Sequence, residues 1–134
     1  MIVLDASALL KYVVREHGWV EVERLLMRGC KTLHIALAEV AMALEVGVKV
    51  GHFDREVALR AVKALKEIVR EGVVELLNDW EFVERATEIA LEKRIPVLEA
   101  MYVAAAEVEG AIATCVRRQA VVARELGIEA ILVA

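Results

Sequence analysis

Short runs of nearly unbroken apolar residues, each bordered by a stretch of helical period, are what most restrict the folds open to this chain. Residues 2–4 (IVL), 111–116 (AIATCV) and 130–133 (AILV) show no polar alternation. A strand with one face in water alternates apolar and polar residues, so these strands must be covered on both faces. The intervening segments have the period to cover them. A helical pattern runs from about residue 6 to 14. A second spans roughly 18–27, with Val22, Leu25 and Leu26 on one face, and stops near Gly29. A brief extended piece at 32–35 precedes a mostly apolar helix over 36–46, with Gly47 and Gly51 loosening its end. Asp54 is placed to cap a long amphipathic helix to about Arg70, on which Ala58, Ala61, Leu65 and Ile68 form one face; Gly72 ends it. VVELL (73–77) reads as a strand, and Asn78 or Asp79 can cap the helix that follows to about Lys93. After Pro96 another helix starts near Leu98 and reaches Glu109; RRQAVVAREL is a helix ending at Gly127, and EAILV is the last strand. Strands alternating with helices predict one α/β domain over residues 1–134, a three-layer α/β/α fold around a central, mostly parallel sheet of four or five strands.

The 59% hydrophobic content raises the question of a membrane. No stretch approaches the ~18 charge-free apolar residues of a spanning helix, and Asp5 interrupts the place where a signal peptide would carry its apolar region. A cytoplasmic protein with unusually apolar elements is expected. Cys30 and Cys115 are far apart and lack paired metal or redox spacing, which suits reduced thiols in a core. With 21 acids against 17 bases, the net charge of −4 does not attract nucleic acid as a whole-molecule field, so any phosphate contact must come from a local basic patch. His17, His34 and His52 have no ligand spacing, and no Gly-rich phosphate loop is present.

Most acids lie on amphipathic helices beside bases, as in REVALRAVKALKEIVRE, and read as solvated faces. Three do not. Asp5 ends the first strand, Glu39 interrupts IALAEVAMAL, and Glu99 interrupts PVLEAMYVAAA. Each has a local explanation: Asp5 can cap the following helix, Glu99 suits the positive end of its helix dipole, and Glu39 can snorkel outward or pair with a base. Taken together they point further. Carboxylates gathered at the carboxyl edge of an α/β sheet repel one another unless a cation sits among them. Oxygen donors of this kind select Mg²⁺ or Mn²⁺, and such an ion can activate water against a phosphodiester.

The segments VLDASALL, AEVAMAL, VLEAMYVAAAE and ATCVRRQAVVARELGIEAILV resemble, in order and spacing, the successive motifs of PIN domains, in particular the VapC-type toxins of type II toxin-antitoxin systems. The resemblance implies a metal-dependent endoribonuclease, usually a homodimer, partnered by a VapB-like antitoxin that covers the acidic pocket. By the same resemblance Asp5, Glu39 and Glu99 are the catalytic metal ligands, Glu99 standing where the family usually has Asp. Ser7 and Thr114 are the hydroxyl residues that order the first acid. Val116 departs from the pattern, for it falls where the last motif carries its aspartate. Three remaining acids suit one hexacoordinate ion better than two, and Glu107, two turns beyond Glu99, is not placed to substitute.

Arg117, Arg118, Lys11 and Arg15 are the bases near this edge, as ordinary surface charge or as RNA phosphate contacts. Tyr12, Trp19 and Tyr102 suit core or interface packing better than base stacking. Apolar stretches such as AEVAMALEVGV and the Trp19 region suit a homodimer interface. Two functions stay open: an Mg²⁺- or Mn²⁺-dependent ribonuclease, attenuated by Val116, or a degenerate PIN domain that binds RNA or a partner without turnover. A signalling receiver also gathers acids at strand ends, but it needs adjacent acids after the first strand, and here Ala6 follows Asp5.

Overall fold

The computed structural model describes residues 1–134. Its chain order is β1 (Ile2–Leu4), α1 (Ala6–Val14), α2 (Trp19–Arg28), β2 (Cys30–Leu33), α3 (Ile35–Lys49), α4 (Arg55–Arg70), β3 (Val74–Leu77), a 3₁₀ turn (Asp79–Phe82), α5 (Val83–Lys93), α6 (Val97–Glu109), β4 (Ala111–Thr114), α7 (Arg117–Glu125) and β5 (Glu129–Leu132). The five strands form one sheet in the order β3-β2-β1-β4-β5, and every neighbouring pair is parallel. The fifth strand is therefore present, and the sheet is wholly rather than mostly parallel.

Parallel strands need crossover connections, which are right-handed almost without exception. The chain moves outward from β1 to β3, then crosses back to β4 and β5. The connecting helices accordingly fall into two groups, α1–α4 packing with one another and α5–α7 packing together, one group on each face of the sheet. The central strands β1 and β4 are buried throughout, as their continuous apolar runs require, while the edge strands β3 and β5 are partly open. Strand order reverses between β1 and β4. The crevice beyond their carboxyl ends is where open α/β sheets bind ligands.

Several boundaries differ from the sequence reading for reasons that lie far along the chain. Residue 35 is not strand but the first residue of α3, because both oxygens of the Asp79 carboxylate accept hydrogen bonds from the backbone of His34 (2.7 Å) and Ile35 (2.8 Å). Asp79 thus caps a helix 44 residues away, and Asn78 caps only the 3₁₀ turn, through the Trp80 N–H. Nor does α3 loosen at Gly47. The helix passes through it, and glycine is needed because a Cβ there would come within 2.3 Å of the Phe53 ring. Asp54 caps α4 as expected, accepting from the Val57 N–H at 2.9 Å. Both cysteines are free. Cys30 donates its thiol proton to the Leu25 carbonyl, and burial pushes its pKa up to about 11, so it is a packing residue and not a nucleophile. No helix is long and apolar enough to cross a membrane.

Candidate active site

Asp5 follows β1 directly, with extended backbone angles that turn its carboxylate back over the first turn of α1. Only 4% of the residue is exposed. Oδ1 accepts from the Ala8 N–H at 3.0 Å and from Ser7 Oγ at 2.7 Å, and Oδ2 accepts from Thr114 Oγ1 at 2.7 Å. The two hydroxyls are themselves oriented. Ser7 Oγ accepts from the Cys115 N–H and Thr114 Oγ1 from the Val116 N–H, each at 2.9 Å. A hydroxyl has one proton, so both Ser7 and Thr114 spend theirs on Asp5. A helix cap needs only the Ala8 bond. The added hydroxyls, Ser7 from the first turn of α1 and Thr114 from the end of β4, are what steady the carboxylate at a buried place. Burial nevertheless wins over these bonds and leaves the Asp5 pKa above its ordinary value.

Glu39 projects from α3 and accepts a hydrogen bond from the Tyr102 hydroxyl of α6 at 2.5 Å. Its pKa is also raised, first by burial and then by the negative charges of Asp5, Asp79 and Glu99, with the Tyr102 bond opposing. The acids of β1, α3 and α6 therefore share one electrostatic neighbourhood. Tyr102 is only 2% exposed, and its hydroxyl pKa is driven up by burial and by Glu39. Core or interface packing, the sequence expectation for Tyr102, leaves out the role of its hydroxyl. Its position three residues after Glu99, on the same helical face, was the available signal. Asp79 was missed as a neighbour of Glu39 because nothing local shows that β3 delivers it to α3.

Glu99 does not face the other acids freely. Both of its oxygens are held by the Arg118 guanidinium, at 2.8 Å from Nε and 2.5 Å from Nη2, and its backbone carbonyl accepts from Gln119 Nε2 at 2.9 Å. Val116 precedes α7 without any side-chain capping bond and brings no carboxylate of its own to the end of β4. Glu107 is paired bidentately with Arg85 on α5, which holds its pKa low, and it offers no replacement. Of the other bases, Arg117 is exposed. Lys11 Nζ donates to the His17 carbonyl at 2.8 Å, and the Arg15 guanidinium lies 4.3 Å from the centre of the Trp19 ring, which also packs with Tyr12. Those two are tied down at the far end of α1. The largest cavity, about 710 Å³ and lined by Leu10, Val14, Met42, Val46 and Phe53 among others, lies between α1 and α3 and includes none of these acids.

The donor set suits a hard divalent cation in kind, being carboxylate oxygen throughout. It is not assembled as a cage, however: no three His, Cys, Asp or Glu side chains stand together so as to hold an ion. Glu99 is instead turned into the fork of Arg118, and Glu39 toward Tyr102.

The family model of the PIN domain matches residues 2–128. The chain belongs to the PIN domain family. PIN domains are generally nucleases and typically depend on a divalent metal ion. Among solved structures, this PIN domain is similar to one described as the crystal structure of PAE2754 from Pyrobaculum aerophilum, with a TM-score of 0.69 at 21% identity over 90% of this chain and 83% of that one. At that identity the likeness concerns the fold. No curated protein matches the chain.

Proposed function

We propose that this PIN domain is a metal-dependent endoribonuclease of the VapC toxin type, acting in the cytoplasm and held in check by a VapB-like antitoxin. The observation that carries the proposal is Asp5: a buried carboxylate beyond the central strand, fixed by Ser7 and Thr114, with its negative charge acting on Glu39 together with those of Asp79 and Glu99. A carboxylate so placed is poised for a cation. Asp5 and Glu39 would hold Mg²⁺ or Mn²⁺, with Glu99 as the third acid. Bound there, such an ion supplies an acidified water and a positive charge for the phosphoryl oxygens. Ser7 and Thr114 keep the Asp5 oxygens aimed in one direction, and Tyr102 does the same for Glu39. Arg117, exposed at the start of α7, is the base placed to meet an RNA phosphate.

Exposed apolar residues support a protein partner. Met42, Val46 and Val50 recur at helical spacing along α3 and its end, with Leu59 and Val62 on α4. These positions favour a homodimer or antitoxin contact over an isolated chain. A second reading is favoured by the pair of Glu99 with Arg118 and by Val116: a PIN domain that keeps its fold and partners but turns over slowly or not at all. Cleavage of a mixed single-stranded RNA pool with Mn²⁺, with EDTA and with Glu39→Gln decides between them. Cleavage lost in both controls supports the enzyme; RNA retained by the protein without any cleavage supports the binding module.

A further inference from the structure

Glu99 is an acid with two commitments. Its side chain is only 19% exposed, and its charge reaches Glu39, which also feels Asp5 and Asp79. A partly buried carboxylate in such company is unfavourable without a positive neighbour. In this chain the neighbour is built in. The Arg118 guanidinium engages both Glu99 oxygens in the parallel-fork geometry that makes arginine–carboxylate pairs strong and directional. The next residue secures the arrangement: Gln119 is fully buried and donates to the backbone carbonyl of the same Glu99, tying the first turn of α7 to the first turn of α6. At the residue preceding that turn, Val116 supplies no carboxylate to compete for the guanidinium.

We infer that Arg118 is an internal counter-ion for the acidic site, engaging Glu99 so that a divalent cation must compete with the guanidinium for this carboxylate. The inference rests on the metal-dependent reading of the site and adds a gate to it. Each Glu99 oxygen already accepts a hydrogen bond from the guanidinium, so a divalent cation meets this carboxylate in competition with Arg118. The gate can open because the Arg118 side chain is 63% exposed and has water to swing into. An exposed ion pair is weak, so the barrier to a cation is a few-fold loss of affinity and not a block.

The test is calorimetric titration of Mn²⁺ into wild type, Arg118→Gln and Arg117→Gln. Arg118→Gln is expected to bind roughly fivefold more tightly than wild type, the size set by an exposed pair. Arg117→Gln removes the same charge one residue away without touching Glu99, and is expected to change affinity much less. Adding Glu99→Gln to Arg118→Gln should abolish the gain. In the wild type, Mg²⁺ should also move the Arg118 Nε–H resonance toward that of a free guanidinium. Equal, Asp5-dependent binding by wild type and Arg118→Gln overturns the counter-ion inference alone, as does an equal gain in Arg117→Gln or an unmoved Arg118 resonance at saturating Mg²⁺. No binding by either wild type or Arg118→Gln overturns the inference together with the metal-dependent reading.

Discussion

Replacing Thr114 with valine keeps the shape of a fully buried side chain while deleting one hydroxyl, and so isolates what that hydroxyl does for Asp5. In the native protein it donates to Asp5 Oδ2 at 2.7 Å and accepts from the Val116 N–H at 2.9 Å. Loss of a hydrogen bond to a charged group costs about 1.5–3 kcal/mol. The methyl that takes its place returns roughly 0.8 kcal/mol through added apolar burial. The expected net destabilisation at pH 7 is about 1–2 kcal/mol, with a fall in Tm of roughly 3–10 °C for a domain of this length. Removing a donor to the ionised form also raises the Asp5 pKa further. Urea unfolding at pH 7 and pH 4, followed by circular dichroism in EDTA, measures the effect. The cost should shrink at the lower pH, because the raised pKa of Asp5 favours its protonation as pH falls and protonation ends the charge-assisted bond, and Thr114→Ser should largely keep the pH profile of wild type. A Thr114→Val variant within 0.5 kcal/mol of wild type, or one equally destabilised at both pH values, refutes the reasoning.

The raised pKa values of Asp5 and Glu39 fix the sign of a pH effect. The folded protein holds more protons than the unfolded chain between their ordinary values, 3.8 and 4.5, and the higher folded ones. Their contribution to stability is complete below that window and is lost as pH rises through it. In EDTA, Asp5→Asn should therefore be more stable than wild type at pH 7, with the difference fading toward pH 4; urea midpoints that show the opposite trend contradict this. Tyr102→Phe removes the donor to Glu39 and should raise the Glu39 pKa further, visible as an upward shift of its carboxyl ¹³C titration. Asp79→Ala should cost about 1–2 kcal/mol through the lost cap of α3, with faster amide exchange at His34 and Ile35, the two groups it now holds.

The parts of the fold that could be read from the sequence are those that local pattern controls. β1 and β4 announce themselves because a strand covered on both faces has no polar alternation, and Asp54 caps α4 through a residue three positions away. Asp5 stood out for the same reason, as a charge inside an apolar frame. What was not legible depends on tertiary contact. The start of α3 is set by Asp79 from beyond β3, and the helix continues through Gly47 because the Phe53 ring occupies the space of a side chain. The two halves of the candidate site fared differently for this reason too. Ser7 and Thr114 hydrogen-bond Asp5 from beside strand ends that local pattern reveals, whereas the pairing of Glu99 with Arg118 links two helix starts 19 residues apart and leaves no periodic trace.

The most direct test of the whole account is a calorimetric titration of Mg²⁺ and Mn²⁺ into wild type and Asp5→Asn. Asparagine keeps the size of the side chain and can still accept the Ala8 bond, so the helix cap survives while the charge is lost. The expected result is saturable binding by the wild type that disappears in the folded variant. Equal binding by both proteins, or none by either, would mean that Asp5 is a helix cap and not the anchor of a metal site.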